Sequence, residues 1–176
     1  MSASLISQFQ MLGRYNGIVN ERLYEVCAEL SEEQYRKEGP GSFGSIHRTL
    51  NHLLLGDQIW MNRFTSPEVT STPPLGTILH QNFPILREAR VIEDARIEAF
   101  LAGLTDSFLR APVCYYNSAG KYFEDPLTLV LQHMFNHATH HRGQVHVMLS
   151  QFGKTVNLDM HRAINPIELA RVADHR

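Results

Sequence analysis

Between Leu5 and Leu30, apolar side chains recur at alternating spacings of four and three: Leu5, Phe9, Leu12, Val19, Leu23, Val26 and Leu30. Only Asn16 interrupts the stripe. An α-helix advances 100° per residue, so this rhythm predicts one apolar seam running the length of about seven turns. The near-heptad spacing is that of a helix packed on other helices. The rest of the chain must therefore supply helical partners.

It supplies three more long helices. Ser31-Glu-Glu-Gln34 is a capping-box pattern that predicts a short extra turn, and Gly39-Pro40-Gly41 then breaks the chain. Ser42 or Ser45 opens a second helix that runs to about Phe64, with Ile46, Leu50, Leu53, Leu54, Trp60, Met61 and Phe64 as its main apolar arc. Leu55, Ile59 and His52 lie on its other side. A helix apolar on more than one face is buried among several neighbours, which predicts that His52 is not a solvated surface residue. Residues 65–84 carry Pro67, Pro73, Pro74 and Pro84 and read as a long loop with a helical turn around Leu75 to Gln81. A loop of this length in a compact domain is more often functional, or a cover, than idle. A third helix follows from about Ile85 to Leu104. Leu86, Ala89, Ile92, Ala95, Phe100, Leu101 and Leu104 are expected on its inner face, and Arg87, Glu88, Arg90, Glu93 and Asp94 outside. Val113 to Tyr116, a Gly-containing turn at Asn117 to Gly120, and Lys121 to Phe123 read as a β-hairpin. Asp125-Pro126 is a cap-plus-Pro helix start, predicting a fourth helix from Pro126 to about Phe152 that Gly153 ends. Asn165-Pro166 repeats the signal for a short last helix. The expectation is an all-α fold: a four-helix bundle with a short β-hairpin before the last long helix, in a single domain spanning residues 1–176.

Charge removes several function classes. A formal net charge of −2 with scattered Lys and Arg argues against a nucleic-acid partner bound through a basic surface. The first sixteen residues lack the charged and apolar regions of a secretory signal. No apolar run approaches the roughly 18 residues that span a bilayer, so no membrane association is expected. Two cysteines, Cys27 and Cys114, are too few for a disulfide scaffold. A reducing, cytoplasmic setting is the expectation. Cys27 reads as a small packed hydrophobe, and Cys114 has no identifiable base beside it. Tyr115, Tyr116 and Tyr122 fit either a pocket mouth or hairpin packing.

The chemistry concentrates in the fourth helix. Four of the ten histidines fall between His133 and His141, and His146 follows. On a wheel with Leu127 at 0°, the apolar arc runs from about 300° to about 80°. His141 falls inside it at about 320°, and His137 at its edge near 280°. His133 and His140, at about 240° and 220°, lie outside. His137 and His141 are about 40° apart around the axis and about 6 Å apart along it, close enough to share one metal ion. The wheel ranks this pair first and His133 as a substitute. No Glu follows His137 in the HExxH manner, which disfavours zincin-type proteolysis. A buried His52 on a facing helix strengthens the metal reading, because bundles build sites between helices. The competing reading is a plain bundle whose core histidines are satisfied by hydrogen bonds.

Three segments carry a family resemblance: Phe43-Gly-Ser-Ile-His-Arg-Thr-Leu-Asn-His52-Leu-Leu, then Trp60 with Arg63-Phe64, then Asn136-His137-Ala-Thr-His-His141-Arg-Gly-Gln144. Over nearly its whole length the chain resembles the DinB/YfiT-like superfamily of metalloenzymes. The resemblance implies a four-helix bundle with a divalent metal held by His52, His137 and His141, and a homodimer. Relatives of this kind include transferases and isomerases that use mycothiol, bacillithiol or glutathione. The name is shared with an unrelated DNA polymerase, and nothing in the sequence supports polymerase chemistry.

Three neutral imidazoles leave at least one coordination position open, the catalytic rather than the structural pattern. The donor set suits Zn or Ni first, with Fe, Co or Mn as alternatives. Asp57, Gln144 and Asn51 are candidates to orient the ligands. Arg63 or Arg142 could bind the carboxylate of a small substrate, although a surface salt bridge is the default expectation for each. The expected function is a metal-dependent transferase or hydrolase acting on a small molecule, with a low-molecular-weight thiol as one candidate. The alternative is a metal-binding or stress-response module without turnover.

Overall fold

A computed structural model describes residues 4–66, 72–117 and 119–164 of the chain. Its first helix, α1 (Leu5–Cys27), starts where the Ser4 hydroxyl accepts the Ser7 N–H at 3.2 Å. It stops short of Leu30 because the next start signal intervenes. Ser31 and Gln34 form the reciprocal capping box that opens α2 (Glu32–Arg36). Gly41 (φ 128) and Gly44 (φ 74) then take left-handed conformations that turn the chain into α3 (Ile46–Thr65). Of the two serines that could cap α3, Ser45 does so, accepting the Arg48 N–H at 3.2 Å.

The expected helical turn near Leu75 to Gln81 is a single turn closed from the Thr77 N–H to the Pro74 carbonyl at 2.9 Å. The segment is pinned by side chains instead of by helical bonds. The Asn51 amide donates to the His80 carbonyl (3.2 Å) and accepts the His80 N–H (2.9 Å).

The next helix, α4 (Phe83–Ala102), is rotated relative to the sequence expectation. Its buried residues are Leu86, Arg90, Glu93, Ile97 and Leu101, while Ile92 is 62% exposed and Ala95 is also exposed. Two charged residues go inward because each finds a partner. Arg90 pairs with Asp57 at 2.7 Å and with Asp94 at 2.9 Å, and Glu93 pairs with Arg96 at 3.3 Å.

After the short α5 (Asp106–Arg110), β1 (Pro112–Tyr116) and β2 (Tyr122–Pro126) pair antiparallel, Val113 opposite Asp125 and Tyr116 opposite Tyr122. The last long helix, α6 (Leu127–Ser150), begins one residue later than expected and without a side-chain cap. Asp125 is the reason. It stays in the strand, and its carboxylate accepts the Tyr115 hydroxyl at 2.8 Å. Gly153 (φ 69) follows the C-terminus of α6, where the Lys154 N–H reaches back to the Leu149 carbonyl at 3.1 Å. A short α7 (Met160–Ile164) then packs on α1 around Tyr15 and Val19. The helix expected at Asn165-Pro166 lies outside the described residues.

The four long helices close a ring in which α1 and α3 each pack on α4 and α6. The core forms two apolar clusters, one around Leu23, Leu50, Leu54, Val145 and Leu149, the other around Phe9, Met61, Ile97, Leu131 and Phe135. A fully buried Leu such as Leu54 (0% exposed) contributes on the order of 2 kcal/mol. Along α1, α3 and α4, a buried polar layer falls between the clusters: Asn16, Asn20, Asp57 and Arg90, joined from α6 by Arg142. No described helix is long and apolar enough to cross a membrane.

Candidate metal centre

At the level of this polar layer, α3 presents His52 toward α6, and α6 presents His137 and His141 one turn apart. One ring nitrogen from each of the three lies within 4.8 Å of the other two. His52 Nε2 and His137 Nε2 are 2.9 Å apart, and the ring centroids of His137 and His141 are 4.5 Å apart. His52 and His141 are buried and His137 is half-buried. His137 and His141 are the pair that the helical wheel ranks first, and His52 is buried as its position on α3 requires.

Hydrogen bonds fix which nitrogen two of the rings present. His52 Nδ1 lies 3.0 Å from the Leu75 carbonyl, which can only accept, so the proton sits on Nδ1 and the Nε2 lone pair is directed at His137. His141 Nδ1 lies 2.9 Å from Gln144 Oε1. The Gln144 amide nitrogen in turn faces Ser42 Oγ (3.3 Å) and His140 Nε2 (3.1 Å), which holds its oxygen toward His141. His137 packs against Gly56, where an added Cβ would stand 3.1 Å from His137 Cε1. Space for this imidazole exists because position 56 has no side chain.

The electrostatics favour neutral rings. Burial lowers the pKa of His52, His137 and His141, and the neighbouring imidazoles add to the effect at His137, which is pushed down to about 3. No carboxylate joins the cluster among the described residues. Metal ions bind neutral imidazole, so a group of depressed pKa is available as a ligand near neutrality. A tetrahedral ion with bonds of about 2.0 Å holds its nitrogens about 3.3 Å apart. The 2.9 Å between His52 and His137 is a proton-sharing distance that a small opening converts to this spacing. The donor set fits a divalent ion of borderline softness.

Phe43, carried by the Gly41–Gly44 turn, stacks on His52 with centroids 3.8 Å apart and meets His141 edge-on at 5.5 Å. Helical periodicity gives no cue to this contact, because Phe43 precedes the helix. On the other side a cavity of about 350 Å³ opens, with His52, His137, Ile59, Trp60, Arg63 and Leu75 in its wall. His133 also lines it, 6.0 Å from His137 between ring centroids, and stays outside the triad. Exposed His140 contacts Gln144, and His146 has no place in the cluster.

Of the residues expected to orient the histidines, Gln144 is hydrogen-bonded to one of the three. Asp57 is committed to Arg90, and Asn51 to His80 and to the His47 carbonyl. Neither expected surface salt bridge forms among the described residues. Arg142 is 1% exposed and donates to Asn16 Oδ1 and, at 3.1 Å, to Asn20 Oδ1. Its partners are amides on α1, which a search for opposite charges overlooks. Arg63 lies against the rings of both Trp60 (4.5 Å) and Tyr115 (4.3 Å). Cys27 is buried, and burial pushes its thiol up to about 12, so it is no nucleophile near neutrality. Cys114 is exposed on β1. Tyr116 and Tyr122 pair with each other, centroids 5.4 Å apart, on the exposed face of the hairpin.

A model of the DinB family matches residues 1–165 of the chain. A curated relative, Protein DinB of Bacillus subtilis (strain 168), is 27% identical over 151 residues, covering 81% of this chain and 84% of the relative. No solved structure matches the chain significantly.

Proposed function

The chain belongs to the DinB family, and on that premise we propose that it is a metal-dependent transferase or hydrolase holding a divalent transition metal on His52, His137 and His141. The observation that carries this reading is the convergence of three neutral imidazoles, two of which, His52 and His137, line a cavity. Zn or Ni suits the donors best, with Fe, Co and Mn behind them. When bound, such an ion supplies Lewis acidity at an open position, for a water or for a substrate thiolate.

The remaining work belongs to the chain. The Leu75 carbonyl and Gln144 hold His52 and His141 in the tautomer that presents Nε2. Phe43 covers one side of the imidazoles and excludes water there. Ile59, Trp60 and Leu75 give a small substrate an apolar bed. With Cys27 inert and Cys114 outside the cavity wall, the nucleophile comes from outside the chain, as water or as a low-molecular-weight thiol. His133, in the cavity wall, is positioned to take its proton on a ring nitrogen. The family likeness further suggests a homodimer, and the scarcity of cysteines a cytoplasmic setting.

The test begins with metal analysis of tag-free protein. About one ion per chain is expected in the parent protein, as for other three-histidine sites, and a large loss in His141→Ala. Equal, near-zero content in both would leave a plain helical bundle. A panel of thiol–electrophile pairs and esters, run with metal-loaded protein, then tests turnover.

A further inference from the structure

We propose that Arg63 is the anion-binding residue of the cavity, so that the substrate carries a carboxylate at the end opposite its metal-binding group. The second half of this statement rests on the metal reading above. The first half stands on Arg63 itself.

His52 and Arg63 are eleven residues apart on α3, which places them about 20° apart around the axis and about 16 Å apart along it. They share one stripe, with Gly56 and Ile59 between them. Long side chains on a helix lean toward its N-terminus, so Arg63 leans back toward His52. Both residues line the same cavity. The floor between them is low at Gly56 and apolar at Ile59, Trp60 and Leu75. This is a trough with a ligand cluster at one end, a cation at the other, and room for a hydrocarbon spacer.

The guanidinium is prepared for a ligand. The rings of Trp60 and Tyr115, set edge to face with each other, both lie against it and hold its position. Nη2 donates to the Tyr116 carbonyl at 3.2 Å. Nε is buried and has no hydrogen-bond partner among the described residues. Among the described residues no carboxylate lies within ion-pair distance of Arg63, whereas Arg36, Arg90 and Arg96 each have one. A buried donor without an acceptor is uncommon in a folded protein. A carboxylate entering the trough would meet the guanidinium with charge-assisted bonds.

Trp60 is the only tryptophan and touches Arg63, so its fluorescence reports occupancy of this end. The experiment titrates zinc-loaded protein with mercaptohexanoate and mercaptohexanol, and metal-free protein with hexanoate and hexanol. In each pair the acid is expected to bind about tenfold tighter or more than the alcohol. Arg63→Gln should abolish that preference and leave alcohol binding unchanged. Arg63→Lys, which keeps the charge without the planar fork, should retain part of it. If only the metal reading fails, zinc will add nothing to thiol binding while the preference for acids persists. Equal binding of acid and alcohol by the parent protein overturns the proposal. So does a preference that survives Arg63→Gln, or the absence of a saturable response to either acid.

Discussion

At His141 a single contact decides which ring nitrogen is left for the histidine cluster: Nδ1 is engaged by Gln144 Oε1 at 2.9 Å. Residues that orient a metal-bound imidazole typically contribute about 10- to 100-fold in metal affinity. Gln144→Leu is therefore expected to weaken zinc binding within that range, read by competition with a chromophoric chelator. Unchanged affinity would remove Gln144 from the site. In the sequence, Gln144 stood beside Asp57 and Asn51 as an equal candidate, since all three carry polar groups near a histidine. What separates them is long-range. Asp57 is drawn to Arg90 on another helix, and Asn51 holds a loop backbone. His52, His137 and His141 were legible because burial follows from position on an apolar helix face. Phe43 was not, because stacking on an imidazole leaves no periodic trace.

Two elements form the site, and α3 carries more of it than its one histidine suggests. Gly56 is a vacancy in a helix that otherwise would crowd His137, a Cβ there standing 3.1 Å from the ring. Ala in place of Gly within a helix is intrinsically favourable by about 1 kcal/mol. Gly56→Ala is thus expected to separate two properties. The metal-free protein should melt no lower than its parent, while metal affinity falls as His137 is displaced. A matched fall in both would mean that crowding at His137 disturbs the fold as well as the site. The strong periodicity of α1, α3 and α6 made these helices readable, and so did the capping box of α2 and the hairpin turn. The face of α4 was misread. Arg90 and Glu93 look solvated in one dimension, and the ion pairs of Arg90 with Asp57 and Asp94 and of Glu93 with Arg96 make their burial tolerable. The start of α6 was misplaced for a related reason, Tyr115 claiming the carboxylate that would have capped it.

Across the whole molecule, the buried polar groups set how stability follows pH. His47, His52, His137 and His141 all titrate below the ordinary imidazole value near 6.5, burial being the first cause in each. Each is neutral in the fold at a pH where the unfolded chain would charge it. Their contribution is complete above about 6.5 and is lost as pH falls toward the folded values, about 3 for His137. Asp57, Glu93 and Asp94 are raised by burial and act in the opposite sense. For Asp94 that window runs from near 4 up to about 6, mostly below the onset of the histidine effect. The metal-free protein is therefore expected to lose stability as pH drops from about 7.5 to about 6, seen as a falling urea midpoint. A midpoint that rises over this interval would assign control to the carboxyls.

The absence of a carboxylate from the histidine cluster reaches beyond the cluster itself. Neutral ligands cancel none of an ion's charge, so a divalent ion held there would bring the chain's formal −2 to zero near neutral pH. Loading would shift the isoelectric point upward and slow migration in an electric field. It would also reduce the mutual repulsion that keeps copies of the protein dispersed. An anionic ligand in the cavity would give that repulsion back.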